Sequence, residues 1–217
     1  MIKKNVEKVR QRIFEICAKQ KIDPGKITLL CVTKGRSIQE ISEVVNSGVN
    51  QLGENRVQEA LAKYKLISGA TWQMVGHLQS NKVKDALKIF GLIHSVDTFN
   101  LAWEINRQAV KINKIQDILL EVKTSPETSK FGFKEEELAD ACAEIRKLKQ
   151  VKIKGLMTIA PAMADINLTR PYFSKLRCLR DQLNRSWLLS MGMSDDFEVA
   201  IEEGADIIRL GRAIFEG

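Results

Sequence analysis

A lysine and an arginine in apolar segments are the residues of this chain best suited to chemistry. Lys34 ends the apolar run 27–33, and Arg209 lies in another apolar segment that continues into Gly211 and Arg212. A primary amine beside a phosphate-binding group is the combination that holds pyridoxal phosphate (PLP) as a Schiff base. The pattern therefore predicts a PLP site, formed where the fold brings the two segments together.

A further segment could supply hydrogen-bond donors to a phosphate. Gly192, Met193 and Ser194 offer backbone amides and a hydroxyl group, as the Gly211-Arg212 pair offers backbone amides. Ser194 precedes two aspartates and a helical pattern. It could therefore lie at an anion-attracting helix N terminus, or act only as the N-cap of that helix.

The elements that must position these groups are short apolar strands alternating with helical segments. Strands are predicted at residues 27–33, 51–53, 72–76, 92–96, 118–122, 153–157, 188–191 and 207–210, and helices at 3–20, 37–46, 56–65, 81–88, 99–112, 134–148, 168–184 and 196–203. Every strand but the last is followed by a helical segment, which is typical of parallel βαβ units. Eight such strands close a barrel, and no Gly-x-Gly-x-x-Gly turn favours an open sheet. We expect an α/β fold, a single (β/α)8 TIM-type barrel domain over residues 1–217 with an extra N-terminal helix.

Closure of the barrel would place the last strand beside the first, with polar residues gathered at the C-terminal ends of the strands, where barrel sites form. If Leu30 and Val32 point into the barrel, Lys34 points the same way. Low dielectric and a nearby Arg209 would make its amine easier to deprotonate. A lysine that extends to solvent remains the alternative.

The two histidines follow consecutive strands, which raises the possibility of a metal site. His77 and His94 have no group of acidic residues at ligand spacing. We therefore predict hydrogen-bonded structural roles for both and no metal.

Composition limits the compartment and the partners. Hydrophobic residues make up 44% and charged residues 28%, as in globular proteins, and no apolar run approaches the roughly 18 residues of a membrane span. No signal peptide precedes the first helix, so we expect a cytoplasmic protein without a membrane partner. The net charge of +7 could attract nucleic acid, but the basic residues alternate with acidic ones on helices. Nucleic-acid binding is therefore not expected.

The four cysteines have no close paired spacing. Cys17, Cys142 and Cys178 lie in helical patterns and Cys31 in a strand. This distribution predicts buried free thiols and not a disulfide framework or a metal site.

Ordered motifs along the whole chain resemble those of the pyridoxal phosphate homeostasis proteins, small single-domain relatives of the alanine racemase barrel. The motifs, in chain order, are Val32-Thr33-Lys34, Gly53-Glu54-Asn55-Arg56-Val57-Gln58-Glu59, Gly76-His77-Leu78-Gln79-Ser80-Asn81-Lys82, His94-Ser95-Val96-Asp97, Ser129-Lys130-Phe131-Gly132-Phe133, Gly155-Leu156-Met157-Thr158, Ser190-Met191-Gly192-Met193-Ser194 and Arg209-Leu210-Gly211. The resemblance implies that Lys34 carries PLP as an internal aldimine. It also implies that Arg209 faces the pyridine nitrogen.

The resemblance also assigns the groups around the rest of the cofactor. The residues implied to surround the phosphate or line the pocket are Ser194, Gly211, Arg212, Asn55 and Met193. Two positions depart from the family pattern. Gly35-Arg36 replaces a polar residue and proline after the lysine, and Arg212 stands where a small hydroxyl residue is common.

The predicted chemistry favours a carrier over an enzyme. An arginine opposite the pyridine nitrogen keeps that nitrogen unprotonated and the ring a poor electron sink. The alanine racemases use a tyrosine from an additional domain as second base, whereas Tyr64 and Tyr172 lie in helical patterns here. We predict a monomeric PLP-binding protein that stores and delivers the cofactor without a dedicated reaction, with PLP-requiring apo-enzymes as candidate recipients. A PLP-dependent amino-acid racemase is the alternative.

Overall fold

Eight parallel strands form a closed barrel in the computed structural model of the protein, which describes residues 1–125 and 131–217. The strands are β1 (Thr28–Val32), β2 (Gln51–Glu54), β3 (Thr71–Met74), β4 (Phe90–Val96), β5 (Gln116–Glu121), β6 (Val151–Met157), β7 (Leu188–Ser190) and β8 (Ile207–Leu210). They follow one another around the barrel in chain order, and β8 closes it by pairing with β1. The predicted fold class and all eight strands are confirmed, with ends that differ by a few residues.

Helices surround the strands. They are α1 (Ile2–Gln20), α2 (Ile38–Asn46), α3 (Val57–Lys63), α4 (Val83–Ile89), α5 (Phe99–Lys111), α6 (Glu135–Ile145), α7 (Arg170–Leu183), α8 (Phe197–Glu202) and α9 (Arg212–Phe215). Short 3-10 turns precede β1, α4 and α7, at Pro24–Lys26, Ser80–Lys82 and Ile166–Thr169. No helix in the described part of the chain is both long and apolar enough to span a membrane.

Local sequence explains where the helix after β1 begins. The Ser37 side chain accepts a hydrogen bond from the Glu40 backbone N–H, and the Glu40 carboxylate accepts one from the Ser37 backbone in return. This reciprocal capping box satisfies two amides that the first turn of α2 would otherwise leave without partners. The predicted box is confirmed, and it fixes the end of the turn that carries Lys34.

Apolar side chains fill the barrel interior and, separately, the layer between strands and helices. Leu30, Val75 and Ile207 are buried together inside the barrel, whereas the larger core packs the outer strand faces against the helices. Leu30 pairs with Arg209 in the β1–β8 register. Alternation along the two strands therefore carries Arg209 inward with Ile207, as it carries Val32 inward with Leu30.

Two expectations about local structure are wrong. A short helix, α9, follows the last strand, where none was predicted. It is held in place because Ile214 and Phe215 are buried, and because Asn5 of α1 donates a hydrogen bond to the Ile214 carbonyl at 3.0 Å. Cys178 is exposed, whereas Cys17, Cys31 and Cys142 are buried free thiols. Cys178 lies about 200° around α7 from the buried Leu176, on the solvent side of that helix.

Candidate functional site

A cavity of about 400 Å³ opens at the C-terminal ends of the strands, on the β1–β8 side of the barrel. Its walls are formed by Val32, Lys34, Arg36, Asn55, Val75, Ile159, Met193, Ser194, Arg209, Gly211, Arg212 and Glu216. All seven residues predicted to bind a cofactor are among them. The volume lies in the range of small-molecule sites.

Lys34 lies in the turn that follows β1 and is exposed at the cavity mouth. In the described part of the structure its amine has no hydrogen bond or ion pair. The expected low-dielectric surroundings are therefore wrong, because the strand ends at Val32 and the lysine emerges above the buried interior. The amine is free to react with a ligand in the cavity.

Charged side chains, of which Glu54 and Lys63 are buried, hold the residues on either side of Lys34. Thr33 donates its hydroxyl hydrogen to the Glu54 carboxylate at 2.7 Å, and its carbonyl accepts a hydrogen bond from the Lys63 ammonium group at 2.8 Å. The Gly35 backbone N–H donates to the Glu59 carboxylate at 3.0 Å. The lysine backbone is thus fixed from both sides while its side chain stays free.

Arg209 is a buried cation on the cavity wall. Its guanidinium donates to the Ser190 hydroxyl oxygen at 2.8 Å and to the Thr158 carbonyl at 2.9 Å. Burial lowers its pKa to about 10, opposed by the charges of Asp196 and Glu121. Arg209 remains positively charged at neutral pH and has further N–H groups beyond these two bonds.

The loop between β7 and α8 forms the part of the wall nearest α9. The Met193 backbone N–H donates to the Asp196 carboxylate at 2.6 Å, and Asp196 is the N-cap of α8. The Ser194 hydroxyl oxygen accepts a hydrogen bond from the Ala213 N–H of α9 at 3.2 Å. Ser194 is therefore not the N-cap of the following helix, and its hydroxyl hydrogen is available to a ligand.

Arginines at the edge of the cavity are paired with acidic side chains. Arg212 forms an ion pair with Asp195, and both side chains are largely exposed. Arg36 pairs with Glu216 and lies 4.7 Å from the centre of the Phe215 ring. The unusual Gly35-Arg36 turn thus ties the segment after Lys34 to the last residues of the chain.

Comparison with known proteins identifies the family. The family model described as "Alanine racemase, N-terminal domain" matches residues 2–217. The pyridoxal phosphate homeostasis protein of Aquifex aeolicus is 43% identical, over 97% of this chain and 95% of its own length. This chain belongs to the pyridoxal phosphate homeostasis protein family.

Solved structures agree with the family assignment. The structure of PipY from Synechococcus elongatus with PLP bound is 33% identical to this chain, with a TM-score of 0.87, and the match covers 99% of this chain and 100% of PipY. Alanine racemase of Clostridium difficile shares the fold at 16% identity and a TM-score of 0.74 over 95% of this chain and 55% of its own.

One family motif lies partly beyond the described residues. Ser129 and Lys130 of the Ser129-Lys130-Phe131-Gly132-Phe133 motif fall in the segment 126–130, outside the part of the chain that the structure describes.

Phe131 stacks on His77, with ring centroids 3.7 Å apart, and His77 Nδ1 lies 3.1 Å from an oxygen of Asp97. His77 thus takes a structural role, as predicted.

His94 also has the predicted hydrogen-bonded role, inside the barrel. Its Nδ1 lies 2.9 Å from the Ser190 hydroxyl oxygen and its Nε2 lies 2.6 Å from the Gln73 side-chain oxygen. Burial, with a further contribution from Arg209, lowers the His94 pKa well below its usual range. In residues 1–125 and 131–217 no group of three or more His, Cys, Asp or Glu could hold a metal ion.

Sequence reasoning missed several residues of this site. Val75, Ile159 and Glu216 line the cavity, and Glu121 is a buried carboxyl at the end of β5. An apolar residue or a glutamate at a strand end carries no local signal for a ligand. One signal could have located Glu121. Side chains alternate along a strand, so Glu121 points into the barrel as Leu119 does, two residues earlier in β5.

Proposed function

We propose that this chain binds PLP in the cavity between β1 and β8, with Lys34 as its covalent attachment point. The observation that carries the proposal is the meeting of an unpaired lysine amine and a buried arginine at one cavity. The PLP aldehyde carbon would form a C=N bond with Lys34 Nζ, and its oxygen would leave as water.

The other residues of the cavity suit the remaining parts of PLP. Arg209 would donate a hydrogen bond to the pyridine nitrogen, and the charge of its guanidinium disfavours a proton on that nitrogen. The Ser194 hydroxyl, the Gly211 backbone and Arg212 would surround the phosphate. Asn55 and Met193 would line the ring on either side of the mouth.

We infer a role in PLP storage and delivery without a dedicated reaction. A racemase needs a second acid–base group on the far face of the cofactor, whereas Tyr64 and Tyr172 pack against the helix–strand core and do not line the cavity. The PLP-bound state of PipY supports cofactor binding, and the names of the relatives as homeostasis proteins support a role without a dedicated reaction. Residues 1–217 would act as one monomeric domain, and the four free cysteines fit a reducing cytoplasm where apo-enzymes could accept the cofactor.

Borohydride reduction followed by peptide mass mapping tests the attachment. Reduction of the PLP-loaded protein should leave a pyridoxyl group on Lys34, and Lys34→Ala should lose both the adduct and the imine absorption while it stays folded. Lys82→Ala is the matched control, since Lys82 also follows a barrel strand but lines a different cavity. An adduct on another lysine with Lys34 unmodified would refute the assignment.

Two further measurements separate a carrier from a racemase. The PLP-loaded protein should release its cofactor to an apo-enzyme, and it should leave the α-proton of alanine unexchanged in deuterated water over many hours. Rapid deuterium incorporation would establish the racemase alternative.

Arg209→Gln should shift the cofactor spectrum, because the ring nitrogen would no longer face a cation.

A further inference from the structure

A hydrogen-bonded chain of side chains crosses the barrel interior and ends on Arg209. It connects Gln51, Gln73, His94, Ser190 and Arg209, with separations of 2.7, 2.6, 2.9 and 2.8 Å between successive partners. These residues come from β2, β3, β4, β7 and β8, so the chain spans most of the barrel. Gln73, His94, Ser190 and Arg209 are all buried.

Arg209 at one end of the chain and the Gln73 side chain near the other together determine the direction of the bonds between them. The Arg209 guanidinium can only donate, so the Ser190 oxygen accepts from it. The Gln73 oxygen can only accept, so it requires a proton on the facing Nε2 of His94, and the unprotonated Nδ1 then accepts the hydroxyl hydrogen of Ser190. The proton of the neutral imidazole lies on Nε2, which donates to the Gln73 oxygen.

The far end of the chain fits the same direction. The Gln73 amide nitrogen donates to the Gln51 oxygen, which also accepts from the Thr71 hydroxyl. Reversing the His94 tautomer would set its unprotonated Nε2 against the Gln73 oxygen, so that two acceptors would face each other. A protonated His94 would turn a second donor toward Ser190, so that the Ser190 hydroxyl hydrogen would lose Nδ1 as its acceptor.

We propose that His94 is a positioning residue for the cofactor cavity, which acts through Ser190 to hold the Arg209 guanidinium in place. The proposal rests on the proposed function, because it supposes that Arg209 faces the PLP ring nitrogen. Neutral His94 draws the Ser190 hydroxyl hydrogen away from Arg209 and leaves an oxygen lone pair for the guanidinium. Asp196 and Glu121, the acidic groups whose charges act on Arg209, supply no such hydrogen bond to it in the described residues.

Loss of the chain would change the chromophore before it changes covalent attachment. Without Ser190 as an acceptor, the guanidinium keeps only its bond to the Thr158 carbonyl, so its orientation toward the ring is less fixed and its hold on the nitrogen weakens. The nitrogen would then take up a proton more readily, while Lys34, in the turn after the neighbouring strand β1, would still form the Schiff base. The position of the Arg209 guanidinium and the covalent attachment at Lys34 can therefore be tested separately.

The test is a pH titration of the cofactor absorption in the wild-type protein and five variants, all loaded with PLP. Ser190→Ala and His94→Phe should each move the spectral midpoint upward by about one pH unit, the tenfold change of one weakened charge-assisted hydrogen bond. The double variant should move it no further than either single one. Ser190→Thr keeps the hydroxyl and should restore the wild-type midpoint, and Thr71→Val, at the outer end of the chain, is the matched control.

Each outcome decides one question. A lower melting temperature in Ser190→Ala and His94→Phe with the wild-type midpoint would overturn the positioning role and leave only a structural one. Additive shifts in the double variant would overturn the path through Ser190. Absence of a Lys34 adduct in the wild-type protein would instead overturn the proposed function, and the inference with it.

Discussion

The ammonium nitrogen of Lys63 lies 2.6 Å from a carboxylate oxygen of Glu54, beneath the turn that carries Lys34. The Glu54 side chain is wholly buried and that of Lys63 is 10% exposed. The pair also binds two polar groups of Thr33, since the lysine donates to its carbonyl and the carboxylate accepts from its hydroxyl. A buried ion pair thus supports the turn that carries Lys34.

Lys63→Met should destabilise the protein strongly. The substitution leaves the Glu54 carboxylate buried without its cation, a change that typically costs 3–5 kcal/mol, on the order of a third of the stability of a domain. Urea denaturation measures the free energy of unfolding. The double variant Lys63→Met/Glu54→Gln should recover part of the loss, because no uncompensated charge remains. Equal stability of the single variant and wild type would contradict a structural role for the pair.

Gly76→Ala should disturb Asn55 on the cavity wall. A Cβ at Gly76 would lie 2.4 Å from the Asn55 carbonyl oxygen and 2.7 Å from its Cα, so the backbone that carries Asn55 must move. We expect at least a tenfold weaker affinity for PLP, measured by absorption titration. Gly91→Ala is the control, since nothing lies within 4 Å of its added Cβ. Similar affinity in both variants would show that the Gly76–Asn55 approach does not shape the cavity.

The barrel could be predicted because its signals are local. Strands such as 207–210 are short apolar runs, and the Ser37–Glu40 capping box is encoded within four residues. The prediction that Cys178 is buried is wrong, because burial on a helix depends on which of its faces packs against the core. A cysteine in a helical pattern does not reveal which side faces the core until Leu176 and Leu179 are known to be buried.

The sequence was enough to predict that the site residues line one cavity, but it did not indicate which residues they are hydrogen-bonded to. Strand order alone brings Lys34 and Arg209 together once the barrel closes. The bonds from Arg209 to Ser190 and Thr158 depend on how β6, β7 and β8 are aligned in three dimensions and on side-chain rotamers. The same holds for the exposure of Lys34, which is set by the residue at which β1 ends.

Acid should destabilise the protein through His94. Burial, with Arg209 nearby, holds the folded-state pKa of His94 well below the value of about 6.5 in an unfolded chain. Below the unfolded-state pKa, His94 takes up a proton in the unfolded state but stays neutral in the folded state. The free energy of unfolding therefore falls as the pH falls. His94→Phe should remove this component of the slope between pH 7 and pH 5. An unchanged slope would mean that His94 accepts a proton in the folded protein.

Glu121 should produce the opposite slope over an overlapping pH range. Burial, and next the charge of Asp97, raise its pKa from 4.5 to about 7, while Arg209 and Lys123 act to lower it. Between these two values the folded state holds the proton more tightly than the unfolded state, so the free energy of unfolding falls as the pH rises through this window. The total loss above pH 7 is on the order of 3 kcal/mol.

Glu121→Gln, which cannot ionise, tests this relationship. The variant should gain stability relative to the wild type as the pH is raised from 5 to 8, measured by urea denaturation at each pH. Asp117→Asn is the matched control, because Asp117 is a half-buried carboxyl near the other end of β5. If the wild type and Glu121→Gln kept a constant difference across this range, the Glu121 carboxyl would have to be ionised throughout, and a cation would have to neutralise it inside the barrel.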